Sequence, residues 1–517
     1  MIRGWLQDCL SDHESCVLHA DSQPISGFYE DAVPFPTRVV AVGSDTEPIR
    51  LVETSGWRGT YACLSHCWGG KQIITTTIAT KAERMTNIAF STLSKTFQDA
   101  IIIARKLQTP YIWIDSLCII QDDHSDWKIE APLMGVIYRN ATYTIAASGS
   151  KDGSGGCLLT RSAPGLPPVT ISYTSSRHAN SPCAMTLALA AGDVGSNIEK
   201  GPLNQRAWTL QERLLSRRII HFGEKQIYFE CQRHIVGEDG FEQSSTFRLK
   251  ASLDLRDYEG EENQNSGSNF GTLSYQRVKP LWWRWCMLVE DYSRRSLTIS
   301  SDKLPALLGL VEEVRKRVSY TYFAGLWEQG LYCSLLWKAF IPGSLRRAEK
   351  YRAPSWSWAS VDGRISYNHA LGLVRSGNSL VRDPEFVELS EDKSGAFYGK
   401  VAVWGKLGII WYTSRPKHGR PIADEGDMRA IDDIHGNQVG SGSLDFEPIE
   451  LPARVTCLVI SHEVYVRKGQ DIYEAYGALL LSPVPRQPRT FTRVGACVIR
   501  ATSFGQDIVD TEPYFII

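Results

Sequence analysis

The chain has 517 residues, with 56 basic and 57 acidic side chains and a net charge of −1. Hydrophobic residues make up 43% and charged residues 22%, which is typical of a globular protein and excludes a fibrous or largely disordered one. The balanced charge argues against a nucleic-acid-binding surface over the whole protein, and no apolar run is long enough to span a bilayer. The length predicts two or three domains.

Residues 1–45 are predicted to form an N-terminal arm that begins with a short helix. Four side chains in it have the chemistry of a zinc site: Cys9, His13, Cys16 and His19. On one continuous helix Cys9 and Cys16 would be about 10 Å apart along the axis, which zinc bonds of roughly 2.0–2.3 Å cannot bridge. Unless the helix breaks, packing explains these residues better, so no metal site is predicted. The twelve scattered cysteines and the lack of an apolar secretory signal predict reduced, buried thiols in a cytoplasmic protein.

Residues 46–235 are predicted to form an α/β domain with a mainly parallel sheet. The apolar run 111–114 reads as its central strand, buried on both faces. Asp115 follows at the carboxyl end of this strand, where open α/β sheets place ligand-handling residues. The next helix would carry Trp127, Glu130, Met134 and Ile137. A second apolar run at 141–147 completes a strand–helix–strand unit.

A second buried strand, 61–65, ends in a glycine-containing loop from His66 to Gly70. The glycines permit a tight turn whose backbone amides could bind a phosphate or carboxylate. An equally good alternative is a simple strand-to-helix turn in which Trp68 fills the core. The residues predicted to bind a small-molecule or nucleotide ligand are Ser65, His66, Trp68, Gly69, Gln121, Asp122 and Arg206.

Residues 202–216 are helical by pattern and bring three charged side chains next to Trp208: Arg206, Glu212 and Arg213. A buried ion-pair network is the favoured interpretation, because a charge beside core residues needs a partner. An anion-binding Arg206 is the alternative, since a guanidinium suits phosphate well.

The rest of the chain changes character twice. Residues 236–275 are polar and rich in Gly, Ser and Asn, which predicts a flexible linker or loop. Residues 276–362 are predicted to be a helical, aromatic-rich region, in which alternation around Trp356 and Trp358 predicts one strand. Residues 363–517 contain turn-separated β runs, which predict an antiparallel sandwich or small barrel.

Four groups of motifs in this order resemble the fungal heterokaryon-incompatibility (HET) domain. They are YACLSHCWGG at 61–70, WIDSLCIIQDD with DWKIE and MGVIYRNATYTIAAS within 113–148, LNQRAWTLQERLLSRRIIHF at 203–222, and YRAPSWSWASVDG at 351–363. The resemblance implies a TIR-like or Rossmann-like parallel sheet. It also implies an effector of programmed cell death in non-self recognition, which acts after contact with a protein partner.

Trp127 and Glu130, at the start of a helix that follows a sheet strand, resemble the Trp-Cys-x-x-Glu pattern of TIR domains, with Lys128 in place of the cysteine. In catalytic TIR domains that glutamate supports cleavage of NAD. The resemblance therefore implies a catalytic Glu130 together with Asp115, and NAD as a substrate. Two classes of function stay open: a signalling effector, and an enzyme that is either an NAD glycohydrolase or a small-molecule enzyme of secondary metabolism.

Overall fold

The chain forms two compact units in a computed structural model. The described residues are 1–13, 16, 33–44, 46–69, 74–160, 169–174, 182–187, 193–244, 281–367, 374–379, 382–416, 429–433, 435–446, 450–466, 472–500 and 512–517. The first unit comprises Met1–Ala251 with Pro305–Leu310, and the second comprises Ser252–Leu304 with Val311–Ile517. Among the described helices, none is long and apolar enough to cross a membrane.

The first unit alternates short strands with helices. Its strands are β1 (Val33–Pro34), β2 (Arg38–Ala41), β3 (Arg50–Glu53), β4 (Arg58–Gly59), β5 (Ala62–Ser65), β6 (Tyr111–Trp113), β7 (Tyr143–Ala146), β8 (Val169–Thr174), β9 (Pro182–Leu187), β10 (Arg218–Phe222), β11 (Ile227–Cys231), β12 (His234–Gly237) and β13 (Glu242–Ser244). Its helices are α1 (Ile2–Asp12), α2 (Lys81–Thr86), α3 (Lys95–Lys106), α4 (Asp115–Cys118), α5 (His124–Asn140) and α6 (Thr209–Leu215).

Within the described residues, nine strands form one mixed sheet in the order β13-β12-β11-β10-β7-β5-β6-β2-β3. The block β10-β7-β5-β6 is parallel, and every other pair in the sheet is antiparallel. The prediction of a mainly parallel sheet is therefore wrong outside this block. The reason is local, because a connection as short as residues 223–226 between β10 and β11 can only join antiparallel strands.

Strand β6 is confirmed as a buried strand, with Ile112 and Trp113 fully buried, but it lies at one end of the parallel block rather than at its centre. Its outer neighbour is β2, which comes from the segment predicted as an arm. The residues that follow β6 form α4, which begins at Asp115. The carboxylate of Asp123 then caps α5 by accepting from the amides of Ser125 and Asp126, at 2.9 and 3.2 Å.

Two segment boundaries differ from what composition predicts. Helix α1 ends at Asp12, so the continuous helix assumed in arguing against a metal site does not exist. Strands β12 and β13 extend to Ser244, inside the segment predicted as a linker, and residues 245–280 lie outside the described part of the chain. The eleven cysteines whose side chains the structure describes are buried and free of disulfides.

The chain beyond residue 280 is aromatic-rich at first and then forms β structure. Its helices are α7 (Leu281–Ser293), α8 (Leu308–Arg315) and α9 (Leu331–Ser334). Its strands are β14 (Tyr322–Phe323), β15 (Leu326–Trp327), β16 (Lys338–Ala339), β17 (Arg346–Arg347), β18 (Val361–Asp362), β19 (Ile365–Ser366), β20 (Val374–Ser379), β21 (Glu385–Glu391), β22 (Phe397–Val403), β23 (Lys406–Pro416), β24 (Arg429–Asp432), β25 (Gln438–Leu444), β26 (Ala453–Val466), β27 (Ile472–Pro483), β28 (Thr490–Arg500) and β29 (Tyr514–Ile516).

The predicted C-terminal β domain is confirmed as an antiparallel barrel. Six strands pair side by side in the order β26-β23-β24-β25-β28-β27, and β27 also pairs with β26, which closes the ring. Side chains such as Ile410, Leu480 and Ile499 fill its core. The single strand predicted around Trp356 and Trp358 is wrong: the segment is a turn followed by a short 3-10 helix, Trp358–Ser360. Both indoles are nevertheless fully buried, and that of Trp358 donates to the carbonyl of Gly325 at 3.0 Å.

Candidate functional site

The parallel strands of the first unit end at a common edge of the sheet, and polar side chains collect there. The register places Ser65 of β5 beside Ala146 of β7, and Ala146 beside His221 of β10. Asp115 follows β6 at the same edge. Open α/β sheets bind ligands at the carboxyl ends of their strands, so this is the position where a site is expected.

A carboxyl group from helix α6 reaches this edge. The hydroxyl of Ser65 donates a hydrogen bond to Oε2 of Glu212, and both side chains are buried. Burial raises the pKa of Glu212 to about 7, although the hydrogen bond from Ser65 and the charge of Arg206 act in the opposite direction. A carboxyl with a pKa near neutrality can both give and take a proton.

A second group surrounds Asp115. Its Oδ1 lies 3.7 Å from Nδ1 of His66, and its Oδ2 accepts from the indole of Trp68 at 2.8 Å. Burial lowers the pKa of His66 to about 4, so the imidazole is neutral at neutral pH. Its Nε2 has no hydrogen-bond partner among the described residues. We call Ser65, His66, Asp115 and Glu212 the sheet-edge cluster.

The loop after β5 requires glycine at one position. Gly69 has a φ of +69°, and a Cβ there would lie 2.3 Å from Cβ of Asp152. A larger residue would therefore strain the backbone and clash with the segment that follows β7. Gly70 lies outside the described residues, so the predicted anion-binding role of this loop stays a prediction.

Gln121 and Asp122, predicted to bind a ligand, make contacts that hold two loops together. The amide nitrogen of Gln121 donates to the carbonyls of Asp115 and Ile119, at 3.2 and 3.0 Å. The carboxylate of Asp122 accepts from the amide of Ile78 at 2.7 Å. These bonds fix the loop after α4 next to Asp115.

The three charged side chains in and next to α6 contact different partners. Arg206 donates to the carbonyl of His66 and so joins α6 to the sheet-edge cluster. Arg213 forms ion pairs with Glu230 at 2.8 Å and Glu199 at 3.0 Å, which confirms the predicted network for this residue. Glu212 takes its hydrogen bond from a serine hydroxyl instead.

Glu130 lies elsewhere. Its carboxylate is 3.5 Å from Nη2 of Arg38, the side chain is 2% exposed, and burial raises its pKa. Arg38 also pairs with Asp126 at 2.6 Å and donates to the carbonyl of Cys118. Glu130 is therefore buried and paired with an arginine, and its implied catalytic role together with Asp115 stays a prediction. We call Arg38, Asp126 and Glu130 the Arg38 cluster.

Sequence reasoning missed a hydrogen-bonded chain that continues the sheet edge. The hydroxyl of Ser148 lies 3.0 Å from Nδ1 of His221, and Nε2 of His221 lies 2.9 Å from Glu230. A signal was present in the sequence, since His221 interrupts the apolar run of β10 and Ser148 lies two residues after the end of β7. Because strand order is not readable from one sequence, nothing linked the two residues.

A small cavity lies between this chain and the sheet-edge cluster, with a volume of about 20 Å³. Its polar lining includes Ser65, Ser148, Glu212, Arg213 and His221. This volume holds about one water molecule, whereas pockets for drug-sized ligands have volumes of roughly 300–1,000 Å³. In this conformation the cavity admits water but no nucleotide.

Comparison with known proteins gives one match. No curated protein and no solved structure matches the chain. Residues 61–212 match the model of the family described as Heterokaryon incompatibility protein (HET), a span that begins before β5 and ends at Glu212. All four members of the sheet-edge cluster lie within the residues that match the HET family model.

Proposed function

We propose that this chain is an effector of fungal heterokaryon incompatibility. It acts in the cytoplasm, promotes cell death after contact with a protein partner, and uses the sheet-edge cluster for that activity. The observation that carries the proposal is the position of the cluster. The end of β5, helix α4 and helix α6 supply Ser65 with His66, Asp115 and Glu212, and all of them lie in the matched span and meet at one edge.

Three observations favour an effector over a TIR-like NAD glycohydrolase. Glu130, the residue implied to be catalytic, is shielded by Arg38, and its separation from Trp127 is one residue shorter than the Trp-Cys-x-x-Glu pattern requires. The cavity beside Glu212 has room for about one water molecule and not for a dinucleotide.

The test is induced expression of the full chain in a filamentous fungus, with cell viability as the readout. Wild type and Glu83→Gln, a change of an exposed carboxylate on α2, are expected to reduce viability equally. Glu212→Gln is expected to restore it at matched protein levels, because the amide keeps the volume but cannot exchange the proton. If Glu212→Gln reduces viability as much as wild type does, the activity does not depend on the sheet-edge cluster. If cells that express wild type stay fully viable, the chain is not an effector of cell death.

A second candidate is an enzyme, favoured by the pKa of about 7 at Glu212 beside the hydroxyl of Ser65. Perturbed carboxyls at a sheet edge are typical of acid–base sites. The purified chain would be incubated with NAD, and nicotinamide release would be followed. Release that is lost in Glu212→Gln and retained in Glu83→Gln would support this candidate, while no release from wild type would exclude NAD as the substrate.

A further inference from the structure

A second cluster of reactive side chains lies apart from the sheet edge, where the N-terminal segment meets the end of β11. Cys9 is in the last turn of α1, His13 and Cys16 follow the end of that helix, and Cys231 is the last residue of β11. One ligand atom from each of the four lies within 4.8 Å of each of the others. All four side chains are buried.

The spacing of these atoms fits a tetrahedral metal site. Sγ of Cys231 lies 3.5 Å from Nδ1 of His13. With zinc–sulfur bonds of about 2.3 Å and zinc–nitrogen bonds of about 2.0–2.1 Å, a tetrahedron has sulfur–nitrogen edges of roughly 3.5 Å. Three thiols and one imidazole form a Cys₃His set, which is a known structural zinc combination.

The local backbone explains how residues close in sequence reach one point. Because α1 ends at Asp12, the chain turns back, and the amide of Cys16 donates to the carbonyl of His13 at 2.8 Å. This return removes the axial separation that a continuous helix would impose on Cys9 and Cys16. The fourth position is taken by Cys231, which is 215 residues further along the chain than Cys16.

The surroundings suit thiolates bound to a cation. Arg218 is buried and donates to the carbonyl of Cys16 at 2.9 Å, so a guanidinium lies next to the cluster. Three thiolates and one Zn²⁺ carry a net charge of −1, which a buried guanidinium balances. Packing alone gives no reason for three thiols and an imidazole to converge beside a buried cation.

We propose that Cys9, His13, Cys16 and Cys231 bind one Zn²⁺ in a closed, structural site. The metal joins α1 to the end of β11 and closes a loop of the chain that contains all the residues matched by the HET model. All four ligands lie outside residues 61–212, so the folded unit that carries these residues extends beyond them at both ends. Binding of this kind contributes directly to folding stability, because the site does not exist in the unfolded chain.

The test starts from the full chain, purified without a metal-affinity tag from cells supplied with zinc. Elemental analysis is expected to give about one zinc per chain in wild type and in Cys157→Ser, a change of a buried cysteine elsewhere in the same unit. Cys231→Ser is expected to lose the metal. A strong chelator should lower the melting temperature of wild type and of Cys157→Ser, and leave that of Cys231→Ser unchanged.

Two further measurements keep the test decisive if Cys231→Ser fails to fold. Cobalt(II) substitution of wild type is expected to give thiolate charge-transfer bands and the strong visible bands of a tetrahedral ion. His13→Cys, which offers a fourth thiolate, is expected to retain zinc and intensify the charge-transfer bands. Wild type without zinc, a disulfide among these cysteines detected by mass spectrometry, or full zinc content in Cys231→Ser would each overturn the proposal.

Discussion

The Arg38 cluster and the sheet-edge cluster both contain a buried carboxyl group of the first unit, but the partners of these groups differ. In the first, Asp126 and Glu130 face a buried guanidinium that also donates to a backbone carbonyl. In the second, Glu212 accepts from a serine hydroxyl, and burial raises its pKa to about 7. A paired guanidinium holds a carboxyl group in place, whereas a hydroxyl beside a carboxyl group with a pKa of about 7 leaves its proton exchangeable. From this contrast we predict that the Arg38 cluster supports the fold and that the sheet-edge cluster carries the function.

The largest effect is expected from Arg38→Ala. The change leaves the buried Glu130 and the partly buried Asp126 without their cation, and removing one partner of a buried ion pair typically costs about 3–5 kcal/mol. The free energy of unfolding from urea titration measures it. Arg58→Ala, at an exposed position of β4, is the control and should change stability by less than about 0.5 kcal/mol. A loss below about 1 kcal/mol for Arg38→Ala would mean that the Arg38 cluster does not support the fold.

The next largest effect is a pH dependence that Glu212→Gln removes. A carboxyl whose pKa rises from 4.5 to about 7 on folding binds more protons in the folded state. Its stabilisation is complete below pH 4.5 and is lost as the pH rises to about 7. Relative to wild type, Glu212→Gln should therefore gain roughly 3 kcal/mol of unfolding free energy across this interval. Urea titrations at several pH values measure the difference.

The pKa of His66 shifts in the opposite direction on folding, so His66 also contributes to the pH dependence of wild type. Its pKa falls from 6.5 to about 4 on folding, so its stabilisation is complete above pH 6.5 and is lost as the pH falls to about 4. The two residues oppose each other in the wild-type curve, and only the difference between a variant and wild type separates them. A flat difference curve for Glu212→Gln would contradict the assigned pKa.

The strands and helices that carry the two clusters can largely be predicted from the sequence, but the contacts between their side chains cannot. The strand that precedes Asp115 and the strand that ends at Ser65 are both readable from apolar runs bounded by turn residues. Arg38 was not readable as a partner of Asp126 and Glu130, because the segment containing it looked like an arm and the contact spans 88 residues. The same limit hid Cys231, whose contact with His13 in the proposed metal site spans 218 residues.

Periodicity also failed where a side chain needed a specific hydrogen bond. The alternation around Trp356 and Trp358 fits a strand, yet both indoles are buried on a turn. Buried indole N–H groups need acceptors, and Trp358 finds one in the carbonyl of Gly325. The C-terminal domain was predicted as a sandwich or small barrel because alternating apolar runs bounded by turns indicate strands, but those runs do not show how the strands pair.

A smaller effect is expected at the junction between α6 and the sheet edge. Arg206→Ala should lose more than about 1 kcal/mol of unfolding free energy, because the carbonyl of His66 loses a charged hydrogen-bond donor. Arg50→Ala, at an exposed position in β3, is the control for removal of a surface arginine. An unchanged urea midpoint together with weaker binding of inorganic phosphate would instead support the anion-binding interpretation of Arg206.

The smallest effect is expected from Glu130→Gln. Asp126 is the nearer partner of Arg38, and burial already disfavours the charged form of Glu130. The amide keeps the volume and can still accept a hydrogen bond from Thr37, so stability should stay within about 1 kcal/mol of wild type. In the expression assay Glu130→Gln should reduce cell viability as much as wild type does, in contrast to Glu212→Gln. A stable Glu130→Gln variant that no longer kills would reverse the assignment of the two clusters and return the activity to the glutamate that the TIR pattern implies.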